Sequence, residues 1–256
     1  MDGLTQAVLG AACGQAVAGH KLGRKAAWFG ALGGILPDFD ILAGLAGPWS
    51  SMLHHRGVSH SLWFGPVVGS ALGYGIWRLY ARRAKRRASA SLEGAPAPPP
   101  SSAGGLDPGA PQALRYWIAL FVVAILTHPL LDVFTTYGTQ LLAPFDRHRF
   151  ALNGVAIIDP LYTVVLAGAL LVGAFFRRRP QVGRVAAGLA LALTTAYLSW
   201  GVALNYQGEA RVRRQLVTAG VHDAKVRCYP TLLQLFVRRA VAKTPERYYV
   251  GYLSTL

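Results

Sequence analysis

The chain has 256 residues, 53% of them hydrophobic and only 14% charged, with 26 Lys and Arg against 11 Asp and Glu. Mean hydropathy is +0.33, which argues against an ordinary soluble domain and for a polytopic membrane protein. Two cysteines, Cys13 and Cys228, exclude a disulfide framework. The net charge of +15 sits largely at the ends of apolar runs, a pattern of membrane topology more than of a nucleic-acid surface.

In chain order, the opening MDGLTQAVLGAACG is acidic and lacks the basic leader of a cleavable signal peptide. Apolar windows follow at Leu4–Gly19, Ala26–Ala46, Val58–Trp77, Tyr116–Thr136, Val155–Phe176 and Val185–Leu204. A spanning helix needs about 20 residues, so the first window is short and the others qualify. Residues 88–112, ASASLEGAPAPPPSSAGGLDPGAPQ, have no apolar periodicity and read as a disordered cytoplasmic linker. From Asn205 the chain turns polar, and RYYVGYLSTL near its end has the aromatic and β-branched composition of a strand. The expected fold is an all-α polytopic membrane bundle of about five to six transmembrane helices over residues 1–204. A small soluble extracytoplasmic appendage of α+β kind is expected over 205–256.

Basic clusters set the expected orientation. Lys21, Arg24 and Lys25, the run Arg78–Arg87, Arg115, and Arg177–Arg179 with Arg184 mark the cytoplasmic side. The loops around Trp49–Gly57 and Tyr137–Gly154 then lie outside, and they hold only Arg56, Arg147 and Arg149. Asp38 falls roughly 18 Å along its helix from the cytoplasmic start, and His128 about as deep in another. Asp132 lies one turn further out, and His60 and Asp159 lie near the outer starts of their windows. Carboxylates in membrane segments are costly and usually face a partner, a cavity or a reaction. Four acids, Asp38, Asp40, Asp132 and Asp159, stand at this one level.

His128 and Asp132 are four residues apart, so on a helix they share a face and can reach one ion. Asp38 and Asp40 follow Pro37, on an interrupted helix, and His55 and His60 flank Gly57. Imidazoles with carboxylates in a partly dry site suit a divalent metal of the Zn, Mn or Fe kind. The all-oxygen set of Mg or Ca is missing. The loop arginines are candidates for an anionic headgroup or phosphate.

MDGLTQAVLGAACGQAV, LPDFD, HRGVSHSL, THPLLDVFTTYGTQLLAPFD and ALNGVAIIDPLYT together resemble the YdjM-like inner-membrane family, usually described as membrane-bound metal-dependent hydrolases. The resemblance runs over about Met1 to Thr163. It implies a metal site formed by the Asp38/Asp40 motif, the His55-Arg56-Gly57…His60 motif and the His128…Asp132 motif. Many relatives carry His where this chain has Gln6. A LexA-binding label attached to the family implies a non-catalytic alternative.

These readings converge on a metal-dependent hydrolase of the bacterial or archaeal cytoplasmic membrane. Asp38, Asp40, His55, His60, His128 and Asp132 are its expected ligands, and zinc is the expected ion. Asp40 or Asp159 is the expected general base, and Arg56 the group that holds a phosphate or developing charge. The expected partners are membrane lipids and a lipid or lipid-linked substrate from the outer leaflet, with no nucleic acid. The rivals are an ion or metal transporter, which needs polar residues continuing to the cytoplasmic half, and a scaffold binding a cytoplasmic regulator. No HExxH motif marks an intramembrane metalloprotease, and the spans exclude a secreted lipase.

Overall fold

The computed structural model describes residues 1–40, 56–92 and 105–255. His55 lies outside them. Each apolar window that can be followed forms a helix, with shifted ends. α1 is Gly3–Leu22, α2 Arg24–Ile35, α3 Phe64–Leu92, α4 Leu114–Val133, α5 Pro160–Phe175 and α6 Pro180–Thr218. Asp2 caps α1 by accepting the Thr5 N–H at 3.0 Å. Gly23 turns the chain into α2 with φ of 59°, a left-handed value that glycine adopts without strain. Residues 36–40, around Pro37, tighten into 3-10 geometry.

Small residues bring the helices together. α1 and α2 cross with Gly10 and Gly14 against Gly30, Gly34 and Ala26, so close that a Cβ on Gly10 would strike the Gly30 carbonyl. Along α3, Gly65, Gly69 and Gly73 recur every fourth residue against Leu126, Val122 and Ile118 of α4. Such stripes let backbones approach where lipid gives no hydrophobic drive. Two buried cores result. Trp117, Leu120, Phe121 and Ile125 of α4 pack with Ala18, Leu22 and Ala26. Leu9, Ala12, Leu131, Tyr162, Leu166 and Leu198 form the second. Outside them, Leu161, Val164, Leu171 and Phe175 of α5 and Leu189 and Leu193 of α6 are exposed apolar side chains, an arrangement that a bilayer accommodates and water does not.

Among the described residues, two helices are long and apolar enough to cross a membrane, Pro111–Val133 and Pro180–Thr218. The expectation of five to six spans is not reached on that measure. α5 has 16 residues and α2 has 12, or about 18 Å for the latter. α3 is apolar only from Phe64 to Trp77 before its arginines begin.

The basic ends gather at one pole. Gln15, Gly19 and Arg24 line a small cavity with Arg177 and Pro180, and the Lys25 ammonium lies over the Tyr80 ring. Edges of the expected disordered linker are built into this pole. α3 runs on to Leu92. The Leu106 N–H donates to the Lys21 carbonyl at 2.9 Å, and Trp77 and Trp117 donate to the Ala110 and Pro108 carbonyls.

α6 continues without a break through the expected boundary at 204/205. Beyond it, β1 (Lys225–Pro230), β2 (Val237–Lys243) and β3 (Tyr248–Ser254) form an antiparallel sheet in the order β1-β2-β3. The appendage is therefore a helix end plus a sheet, and β3 coincides with the stretch expected as a strand. Arg238 of β2 is fully buried. Its guanidinium donates to the Asn153, Gly154 and Gly201 carbonyls and to Asn205 Oδ1 at 2.8–3.0 Å. That residue ties the sheet to α6 and to the loop before α5, and nothing in the tail's composition singled it out.

Candidate metal centre

At the pole opposite the basic ends, three chain segments converge. The 3-10 segment after α2 carries Asp38 and Asp40. A 3-10 turn at Val58–His60 carries His60. The last turns of α4 carry His128 and Asp132, and the helix stays continuous through Pro129. Asp38, His60 and His128 offer donor atoms that all lie within 4.8 Å of one another. His60 Nε2 and His128 Nε2 stand 3.1 Å apart, and Asp38 Oδ1 is 3.7 and 3.2 Å from them. A tetrahedral ion with bonds of about 2.0–2.2 Å holds neighbouring donors about 3.3–3.6 Å apart, so the spacing fits one divalent ion.

The hydrogen bonds fix where the protons are. α2 ends at Ile35, so its last carbonyls have no partner within the helix. The Gly34 carbonyl is thereby available to accept from His128 Nδ1, at 2.5 Å. A carbonyl cannot donate, so Nδ1 carries the hydrogen and Nε2 of the neutral ring presents its lone pair. His60 Nδ1 faces Asp40 Oδ2 at 3.3 Å and Ser59 Oγ at 3.0 Å. Ser59 spends its own proton on Asp40 at 2.8 Å, so His60 Nδ1 is also the protonated nitrogen. Two imidazole lone pairs and the Asp38 carboxylate thus point at one another with no hydrogen of the neutral rings between them. That arrangement suits a bound cation, with both rings oriented from behind, as in metal sites whose histidines donate their other N–H to an acceptor.

Asp132 Oδ2 lies 3.5 Å from His60 Nε2 and 3.8 Å from His128 Nε2. It is buried and accepts no hydrogen bond, though Arg56 Nε stands 3.2 Å away. Asp132 Oδ1 accepts from the Met1 amino group and from Gln6 Nε2 at 3.2 Å. The histidines and Asp132 are fully buried, whereas the Asp38 side chain is 27% exposed, so the centre opens on the Asp38 side.

The predicted residues divide accordingly. Asp38, His60, His128 and Asp132 come together. Asp40 Oδ2 points behind His60, away from the Nε2 atoms. Its Oδ2 accepts from Ser59 Oγ, from His60 and, at 2.8 Å, from the Arg56 N–H, so it braces His60 and is neither the expected ligand nor a free base. Asp159 stands apart from the group. It caps α5 by accepting the Tyr162 N–H at 3.1 Å and accepts the Tyr197 hydroxyl at 2.7 Å. Arg56 is buried, not poised for an anion from outside. Its guanidinium lies against Asp132, within 3.4 Å of Thr135 Oγ1 and over the Tyr137 ring. His55 falls outside the described residues. Ser59 and the Gly34 carbonyl escaped sequence reasoning, the second because a backbone group leaves no mark on composition. Gln6 is fully buried against His128 and Asp132, in contact with the site that the resemblance left open for it.

Comparison with curated proteins and with solved structures found no match. A family model described as YdjM inner membrane protein matches residues 1–208, and the chain belongs to that family.

Proposed function

We propose that this chain is a membrane-embedded, metal-dependent hydrolase acting on a lipid or lipid-linked substrate. The observation that carries the reading is the pair of imidazole lone pairs, held face to face beside Asp38 by acceptors behind each ring. Asp38, His60 and His128 hold the ion, and a donor set of two histidines and one carboxylate favours zinc, with manganese or iron as relatives in kind. When bound, the ion supplies Lewis acidity and brings a coordinated water toward ionisation at neutral pH. Asp132 Oδ2, buried beside the histidines and 3.2 Å from Arg56 Nε, is the carboxylate oxygen that would take up a proton there. Arg56 Nε lies against that same oxygen, while Gln6 holds Oδ1 at 3.2 Å from the other side.

The membrane arrangement belongs to the same proposal. α4 and α6 cross the bilayer, and α1, α2, α3 and α5 complete a multi-pass bundle. Its basic pole faces the cytoplasm by the positive-inside rule, which sets the metal centre toward the outer leaflet.

Metal analysis of the purified protein tests the reading. Wild type is expected to hold divalent metal in stoichiometric amount, and His128→Ala and Asp38→Ala to lose it. Metal-free wild type, or unchanged metal in both variants, removes the basis for the enzyme.

A further inference from the structure

Beside the metal centre lies a cavity of about 490 Å³ lined by Val58, Trp63, Phe64, Val67, Val68 and Phe145, with Ser61 at one edge. It starts at the same 3-10 turn that carries His60, between Val58 and Ser61, and runs along the first turn of α3 as far as Val68. Trp63 and Phe145 form its lips, edge to face at 6.3 Å. Among the described residues, no charged side chain lines it. A phosphate, sugar or peptide backbone placed there would lose its water without gaining partners, so the occupant is hydrocarbon. The space takes a stretch of hydrocarbon laid against the start of α3.

We infer that this groove takes one acyl chain of a bilayer lipid and brings the polar end of that lipid to the metal centre. The inference rests on the hydrolase reading for its purpose and on the groove alone for its ligand. Continuity decides the occupant. A chain lying along α3 ends at Val58 and Ser61, the residues that flank His60, so the first polar atoms of the lipid arrive beside the turn that carries this ligand. Hydrocarbon leaving water supplies the usual drive for such binding. In a bilayer much of that drive is absent, so the groove sets position more than affinity.

The test is fluorescence quenching of detergent-solubilised full-length protein by phosphatidylcholine brominated on its acyl chains, beside metal analysis of the same samples. Wild type is expected to show a saturable quenched fraction near one lipid per chain, reversed by unbrominated phosphatidylcholine. Trp63→Phe is expected to remove that fraction, and Val67→Phe, which fills the groove from an exposed position, to shift its midpoint at least tenfold, both with metal content unchanged. Quenching that never saturates, or is indifferent to both substitutions, overturns the groove while leaving the metal centre standing. Saturable Trp63-dependent quenching in a protein that holds no metal keeps the groove and removes the hydrolase. A dimer in wild type that Val67→Phe converts to monomer would assign this face to a second copy and also overturn the inference.

Discussion

Asp40→Asn separates a ligand from a brace at nearly constant volume. Asp40 Oδ2 accepts from His60 Nδ1, Ser59 Oγ and the Arg56 N–H. The asparagine oxygen still accepts from all three, but as a neutral group. A hydrogen bond to a charged acceptor is worth about 1.5–3 kcal/mol and a neutral one about 0.5–1.5, so His60 loses about 1–1.5 kcal/mol of orientation and basicity. Metal affinity should therefore fall about tenfold, the low end of the 10- to 100-fold range for such outer partners. Competition against a chromophoric chelator measures it, with His60→Ala as the ligand-loss reference. Equal losses in the two variants would make Asp40 a ligand. Wild-type affinity in Asp40→Asn would mean that Asp40 does not orient the ring. No comparable side-chain change exists for His128, because its brace is the Gly34 carbonyl.

Gly34→Val should both destabilise the bundle and lower metal content, since its Cβ would strike the Gln6 carbonyl and move the acceptor of His128. Overpacking of this kind costs about 1–3 kcal/mol, read as a lower midpoint of thermal unfolding, and an unchanged midpoint would refute the close α1–α2 contact. Arg238→Leu removes the donor of the Asn153 and Gly154 carbonyls and of Asn205 Oδ1, and the second donor of the Gly201 carbonyl within α6, at about 1–3 kcal/mol for each buried group left unpaired. Limited proteolysis should then cut between α6 and β1, and resistance equal to wild type would contradict the clamp. Burial, and then the nearby Glu209 carboxylate, push the Cys228 thiol from 9.0 up to about 11. A raised thiol pKa favours the neutral form in the fold, so Cys228 should resist maleimide at pH 8 and react on unfolding, and fast labelling of the folded protein would place β1 in solvent. Arg238→Leu should speed that labelling by loosening the sheet.

Much of the helical layout was legible because its signals are local. The apolar windows became α1 to α6, and the spacing of His128 and Asp132 put both on one face of α4. Ends were less legible. α3 continues through its arginines to Leu92 and α6 through polar residues to Thr218, because nothing at those positions stops a helix. Depth along the helices was enough to group Asp38, His60, His128 and Asp132, but it also admitted Asp159, whose carboxylate serves a helix cap instead. Depth fixes height and says nothing of direction around the helix axis. Arg56 was read as an outer-loop cation, yet it is buried on Asp132, and no feature of the loop's sequence announces that.

By itself the sequence determined that the chain is apolar and basic, where its helices run, and which imidazoles and acids lie at one level. Only the tertiary structure decided which of those acids meets the ion position, which braces a ring and which caps a helix. The reason is physical. Periodicity and charge act over a few residues of chain, whereas the site depends on glycine contacts that bring α1 onto α2 and α3 onto α4, and on one carbonyl at a helix end facing an imidazole 94 residues away.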